Sequence, residues 1–415
     1  MDLFTLSGLL PALLVTLIAL FCANFFVRDL AGIHHHEFAS IDGLRGFLAL
    51  AVYLHHAIYW YSFATHHTWV FGASHLYMNF GHVSVNLFFM ITGFLFTLKL
   101  IDGRTREIDW LKLYCSRFMR LTPLYLCLMA AVFAIVAYET HFTALEETDT
   151  ILLELRNWLL FVILGVPDIN SYLNTHLITA GVIWTLPYEW YFYFLLPLLG
   201  LAIGSKSKST SGVWLILSVV CLTSFYSWHL NIGMFYSFAA GILTAIIVRT
   251  HRLTSKLRSN MGNLIAIICL IIGYTCFSNY MSFSCLFVLA TAFLFIACGN
   301  NLFGLLSCRP ARALSCVSYG VYLLQGVVLF VVMRYGIPSD FQAHMSVHQY
   351  WWIICCLTTP LLVAISAVSW RHIESPAISA APRFAQWLRN IRTVSTHNSM
   401  NTENNIAISE IAKEP

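Results

Sequence analysis

The stretch IDGLRGFLALAVYLHH, residues 41–56, places Asp42 and Arg45 at the mouth of an apolar run and His55 and His56 about three turns further in. Arg45 and His56 are eleven residues apart. At 100° per residue that spacing returns a helix to within about 20° of one face, about 16 Å deeper. The two side chains are therefore expected to look into one cavity. Arg45 would anchor an anionic donor there, and His56 would act as a general base, a role imidazole fills well near neutral pH. His55 points about 100° away and reads as a hydrogen-bonded packing residue. Arg45 could equally snorkel to the membrane surface, and His56 could bond a neighbouring helix.

Other segments carry groups that could join this pair. CSRFMRLTPLY, residues 115–125, sets Arg117 and Arg120 one helical turn apart, so that both guanidinium groups share a face and could grip phosphates. Ordinary anchoring at the membrane surface is the competing reading. In IWTLPYEWYFYFLLPLL, residues 183–199, Glu189 is the only acid, and a carboxylate inside an apolar span needs a cation or a proton as partner. It could orient His56 or bind an acceptor hydroxyl. Around it Trp184, Tyr188, Trp190, Tyr191 and Tyr193 read either as an interfacial aromatic belt or as a surface on which sugar rings stack. His82, Ser84 and Asn86, and farther on Ser318, Tyr319, Tyr322 and Gln325, read as weaker polar signals within spans, with helix-to-helix hydrogen bonding the simplest role for the second group, and Gly81 and Gly93 as points of close helix approach. His34, His35 and His36 are consecutive, but nothing nearby completes a metal site, and no metal is expected.

These residues must be held by helices in a membrane. The chain is 59% hydrophobic and 10% charged, with a mean hydropathy of +0.73, whereas a soluble domain carries about 25% charge. Runs long enough to cross a hydrocarbon core of about 30 Å fall near 4–27, 43–63, 79–100, 121–138, 183–203, 212–227, 230–249, 262–279, 282–300, 314–333 and 350–370. A further run near 151–166 contains Glu154 and Arg156. It is read as an amphipathic or re-entrant piece, because charge at the bilayer centre costs at least about 2.5 kcal/mol. With that choice Arg28, Lys99, Arg104, Arg106, Lys112, Arg117, Lys206, Lys208, Arg249, Arg252, Lys256, Arg258, Arg309 and Arg312 all fall on one side. The intervening loops hold little beyond Arg156 and Arg334.

The positive-inside rule makes the basic side cytoplasmic. The expected fold is an all-α polytopic membrane protein of about eleven transmembrane helices, N-terminus outside and C-terminus in the cytoplasm. Residues 1–37 would form an added helix and cytoplasmic loop, 38–380 the membrane domain, and 381–415 a polar, disordered tail. The twelve cysteines show no CxxC pair or Cys/His metal spacing and read as small apolar filling. No basic aromatic stretch suggests a nucleic-acid partner.

The ordered segments IDGLRG with HH (41–56), VSVNLFFMITGFLF (83–96), RFMRLTPLY (117–125), WTLPYEW (184–190), SYGVYLLQ (318–325) and HIESP (372–376) together resemble the acyltransferase-3 family of membrane acyltransferases. The resemblance covers roughly residues 38–376. It implies a donor-handling and catalytic role for Arg45 and His56, a functional arginine pair at Arg117 and Arg120, and a functional acid at Glu189. It also implies an acetyl-CoA-like donor on the cytoplasmic side and acetyl as the group moved. Many relatives have a histidine where this chain has Gln325, and some carry a fused extracytoplasmic hydrolase-like domain, which the short tail here does not match.

The expectation is an inner-membrane O-acetyltransferase taking acetyl from acetyl-CoA to a hydroxyl of a lipid-linked or surface glycan, such as lipopolysaccharide O-antigen or exopolysaccharide. His56, Glu189 and Arg45 would be catalytic, and Arg45, Arg117 and Arg120 would hold the donor. A secondary transporter would also bury Arg, His and Glu, but more often shows repeated halves, and none is evident. A noncatalytic membrane subunit is the third alternative.

Overall fold

The computed structural model describes residues 8–27, 38–69, 74–206, 211–225, 230–250 and 254–391. Among them no β-strand forms. The long helices are α1 (Leu9–Phe26), α2 (Ala39–His66), α3 (His75–Asp102) and α4 (Trp110–Glu139). After the twelve-residue α5 (Thr148–Leu159) come α6 (Thr185–Ile203), α7 (Ser211–Phe225) and α8 (Phe235–Thr250). The rest of the chain holds α9 (Thr254–Leu257), α10 (Asn260–Thr275), α11 (Phe283–Ala297), α12 (Arg309–Cys316), α13 (Ser318–Val331) and α14 (Ser339–Ala343). The last two, α15 (Val347–Ile353) and α16 (Thr359–Ser369), are joined by π turns into one helix, Val347–Ile391.

Each of the eleven apolar runs coincides with a helix, and among the described residues seven helices are long and apolar enough to cross a membrane. The chain is thus an all-helical, polytopic membrane protein. Its surface agrees, since large apolar side chains such as Phe21, Leu201, Ile216 and Phe283 point outward, where a lipid-facing helix needs them. The run near 151–166 contributes only α5, about 18 Å long, too short to span. Its Trp158 is fully buried, donating from Nε1 to Pro167 O at 2.8 Å, and Trp158 O accepts from the Tyr125 hydroxyl. Leu152 and Leu153 stay exposed, so α5 is an amphipathic piece held to α4.

Two expectations need correction or fall outside view. The final helix continues to Ile391, past the boundary placed at residue 381. Trp370–Glu374 is a π turn rather than an end, because Pro376 comes late enough to be absorbed by the widened turn. His34, His35 and His36, and residues 392–415 of the expected tail, lie outside the described residues.

The centre of the bundle is α3, the most deeply buried of the seven long apolar helices, which packs against α2, α6, α8, α10 and α11. Its polar side chains are used for this. Asn79 donates to Tyr274 O and Phe277 O at 2.9 and 3.0 Å, Ser84 meets the Tyr274 hydroxyl at 2.9 Å, and Asn86 donates to Tyr280 O at 2.9 Å while accepting from Ser237 at 3.1 Å. Against α8 the contact is backbone on backbone. A Cβ on Gly93 would stand 2.4 Å from Phe238 O, and one on Gly241 only 2.1 Å from Met90 O. No larger residue fits at either place without separating the two helices.

Gly241→Val is therefore expected to destabilise the folded protein by about 1–3 kcal/mol or more, the usual penalty for overpacking. Thermal unfolding of the detergent-solubilised protein, followed by size-exclusion chromatography, reads this as a lower midpoint. An unchanged midpoint would mean that α3 and α8 part freely.

Candidate functional site

A cavity of about 300 Å³ opens among α2, α3, α4, α6 and α13. Its cations arrive from three helices: Arg45 from α2, Lys99 from α3, and Arg117 and Arg120 from successive turns of α4. Glu189 of α6 faces them. The arginines and Glu189 are close enough to feel one another's charge. The lining therefore holds four basic groups and one acid, while Asp42, outside it, engages Arg45 at 3.3 Å. An excess of positive charge in a partly enclosed space favours an anionic ligand, and several guanidinium groups favour phosphate oxygens.

The walls hold these charges in place. Tyr193, one turn after Glu189 on α6, donates its hydroxyl to Glu189 Oε2 at 2.8 Å, and its own carbonyl accepts from the Tyr114 hydroxyl at 2.9 Å. Arg117 lies over the Phe96 ring, 5.2 Å from its centre, a cation–π contact that fixes the guanidinium plane. From α13, Tyr319 donates to Leu121 O at 2.9 Å, tying that helix to α4. Tyr322 sits 2.9 Å from the Thr185 hydroxyl and donates to Val182 O at 3.2 Å. The Phe88 and Tyr322 rings, 5.7 Å apart, both line the cavity.

His56 is not in the lining, which corrects the expectation that it shares the cavity with Arg45. The helical arithmetic holds, but it fixes only direction and depth. What fills the space in front of each residue is set by neighbouring helices, and the lining takes in Tyr322 but not His56. The His56 ring belongs instead to a buried polar cluster. Its centre is 4.9 Å from that of His55, and His55 is 5.4 Å from His82. His55 Nδ1 is 2.9 Å from Tyr77 O, so this histidine is hydrogen-bonded within the packing, with Gly81 making room for it: a Cβ there would stand 2.6 Å from the imidazole. His82 stacks on Tyr280 at 4.1 Å.

Gln325 connects cluster and cavity. Its Nε2 donates to Tyr322 O at 2.7 Å and its side chain faces His56, yet neither Gln325 Oε1 nor His56 Nδ1 closes a hydrogen bond. Unpaired buried polar atoms are costly.

Sequence reasoning missed some members of the site. Lys99 read as a loop charge and Tyr193 as part of an aromatic belt, since hydropathy treats both as ordinary features of a membrane boundary. Glu374, in the HIESP segment, is buried next to Arg120's charge, with Oε1 accepting from Ser369 at 2.9 Å and Oε2 unpaired. Its depth was hidden because the helix was expected to end there.

A polytopic helical membrane protein with a cationic cavity below a buried histidine cluster is the class that fold and site define. Residues 38–370 match the acyltransferase domain of the acyltransferase-3 family, and the chain belongs to that family. It is similar to YrhL of Bacillus subtilis (strain 168), 25% identical over 381 residues, covering 83% of this chain and 55% of that one. It is likewise 25% identical over 370 residues to Nodulation protein 10 of Rhizobium leguminosarum bv. viciae, covering 82% and 93%. The same identity extends over 377 residues of the O-acetyltransferase OatA of Staphylococcus aureus (strain NCTC 8325 / PS 47), covering 81% and 56%. The chain thus spans just over half the length of YrhL and OatA. No solved structure matches.

If the arginines bind phosphates, Arg117→Gln and Arg120→Gln will each weaken coenzyme A binding about tenfold or more, the range for a hydrogen bond to a charged group. Isothermal titration of the purified protein measures this, and affinities equal to wild type would remove phosphate binding from the cavity's roles.

Proposed function

We propose that the chain is an inner-membrane O-acetyltransferase that takes acetyl from acetyl-CoA on the cytoplasmic side and delivers it to a hydroxyl of a surface glycan. The observation that carries this reading is the position of His56 between two cavities. The arginine-lined cavity reaches Tyr322, one turn of α13 before Gln325, which faces His56. A second cavity, of about 620 Å³, begins at Trp60, one turn of α2 beyond His56. A donor and an acceptor entering from opposite ends would meet at the imidazole.

In this mechanism the phosphates of acetyl-CoA rest on Arg45, Arg117 and Arg120, and the thioester extends toward His56. His56 takes the proton of the acceptor hydroxyl as its oxygen attacks the thioester carbonyl carbon. The carbon–sulfur bond then breaks, and the coenzyme A thiolate leaves and is protonated by the imidazolium. Glu189 keeps the arginines oriented, with Tyr193 holding the carboxylate. The glycan acceptor is supported by the relatives' names: OatA is named an O-acetyltransferase and YrhL is named for peptidoglycan. O-antigen, exopolysaccharide and peptidoglycan are all acceptors of this kind.

The proposed topology has eleven spans, N-terminus outside and C-terminus cytoplasmic. It is supported by the gathering of loop charges at the Arg45 end. Arg249 pairs with Asp102 at 3.0 Å, Arg389 pairs with Asp109, and Ile108 N donates to Lys206 O at 2.9 Å. Green fluorescent protein fused after Pro415 should then fluoresce, since it matures only in the cytoplasm, and a dark fusion at normal expression would invert the topology.

Mass spectrometry of surface polysaccharide tests the chemistry. At equal membrane expression, His56→Ala should lower acetylation by about 10²–10⁴-fold, the range for losing a general base, and Arg45→Ala should lower it through the KM for acetyl-CoA. Normal acetylation by both variants would refute the proposed axis.

A further inference from the structure

The second cavity lies at the end of α2 opposite Arg45, between the outer turns of α2 and α13, the loop around Tyr172 and Asn174, and α14. At about 620 Å³ it is within the range of sites that enclose drug-sized ligands, which in sugar terms is room for a disaccharide. We propose that this cavity binds the acceptor as an uncharged glycan segment, with the Trp60 indole N–H holding one of its oxygens next to His56. The inference rests on the acetyl-transfer reading and deepens it by naming the acceptor's class.

Trp60 is the first indication. It is only 2% exposed, and its Nε1 has no hydrogen-bond partner among the described residues. The ring is fixed by edge contacts with Phe63, Trp69 and Phe330, at 5.5, 5.5 and 5.8 Å between centres. A donor that is rigid, buried and unpaired is expensive to maintain. It stands on the cavity wall one helical turn from His56. A hydroxyl or ring oxygen of a bound sugar would complete it and bring a neighbouring hydroxyl toward the imidazole.

Charge is the second. Arg334 is the only Lys or Arg in the lining, and the lining contains no acid. Its charge is already matched: Nε and Nη2 donate to Glu139 Oε1 and Oε2 at 3.2 and 3.1 Å, and the Tyr335 hydroxyl donates to the same Oε1 at 2.7 Å. A paired guanidinium offers an anionic sugar little. The rest of the wall is apolar and polar without permanent charge, aliphatic and aromatic side chains with His67, Tyr172, Asn174 and Gln342, which suits the apolar faces and hydroxyl rim of neutral pyranoses. The contrast with the arginine cavity is direct. There the cations outnumber the acid, and here the one permanent cation is paired with Glu139.

The full chain in lipid nanodiscs provides the test, with a neutral hexose oligosaccharide and a uronic-acid oligosaccharide of equal length as probes. Equilibrium binding and acetyl transfer are read separately. Wild type should bind and acetylate the neutral probe in preference to the uronate. Trp60→Phe keeps the ring and removes the N–H, and should raise both the Kd and the acceptor KM for the neutral probe about fivefold or more, with the KM for acetyl-CoA unchanged. Glu139→Gln leaves Arg334 uncompensated and should move the uronate-to-neutral ratio of affinities at least tenfold toward the uronate.

Equal or better use of the uronate by wild type would overturn the proposal. So would a Trp60→Phe protein with unaltered Kd and acceptor KM, or a Glu139→Gln protein with an unaltered ratio. Binding that follows these expectations without any acetyl transfer would keep the neutral-glycan site and refute the acetyltransferase reading instead.

Discussion

Charge buried among membrane helices is tolerated only when other groups or a ligand compensate it, and the architecture of this protein follows from where that compensation is found. Three arginines and a lysine converge on a space that offers them one carboxylate. Burying unmatched cations in a hydrocarbon environment is unfavourable by several kcal/mol per charge, so the space must stay open to water or to an anion. Around it each helix gives up apolar surface to supply a holding contact: Tyr193 to Glu189, Phe96 to Arg117, Tyr319 to the backbone of α4. The walls are stiff because nearly every hydroxyl near the charges already has a partner.

The same constraint explains why the histidines are set apart. An imidazole placed directly among four cations would be held neutral and crowded by like charge, whereas beside Gln325, one turn of α13 beyond Tyr322, it lies in a neutral polar cluster with His55 and His82. In that cluster His56 Nδ1 is left without a hydrogen-bond partner among the described residues. On the far side the second cavity is lined mainly by apolar and uncharged polar side chains, with its one arginine tied to Glu139. The molecule therefore presents three electrical environments along one helix, α2: cationic at Arg45, neutral and polar at His56, neutral and aromatic at Trp60.

Much of this was legible in the sequence. Hydropathy located a helix at each of the eleven apolar runs and set α5 apart, because length and charge are properties of a local window, but it did not mark α12, which packs on α1 and α2. The one-turn spacing of Arg117 and Arg120 put them on one face of α4, and both do line one cavity with Arg45 and Glu189. His55 was separated from His56 by helix direction alone, and its bond to Tyr77 O fits that reading. Failures came where the outcome depended on a second helix. Lys99, exposed near the end of α3, lines the cavity only because α4 and α6 stand beside it, and the last helix runs past the boundary expected at residue 381 because π turns absorb a proline in a way composition does not reveal.

By itself, then, the sequence determined that the chain is a helical membrane protein, which charges lie on which helices, and how far apart along α2 its arginine and histidine stand. These follow from the fixed rise and turn of a helix and from the penalty for polar groups in hydrocarbon, both of which act within a single segment. Only the tertiary structure decided which charges meet, that the cavity takes in Tyr322 but not His56, and that Trp60 lines a second one. Those outcomes depend on the distances between helices. These are fixed by backbone contacts such as Gly93 on Phe238 and Gly241 on Met90, between residues that nothing in the order of the chain links.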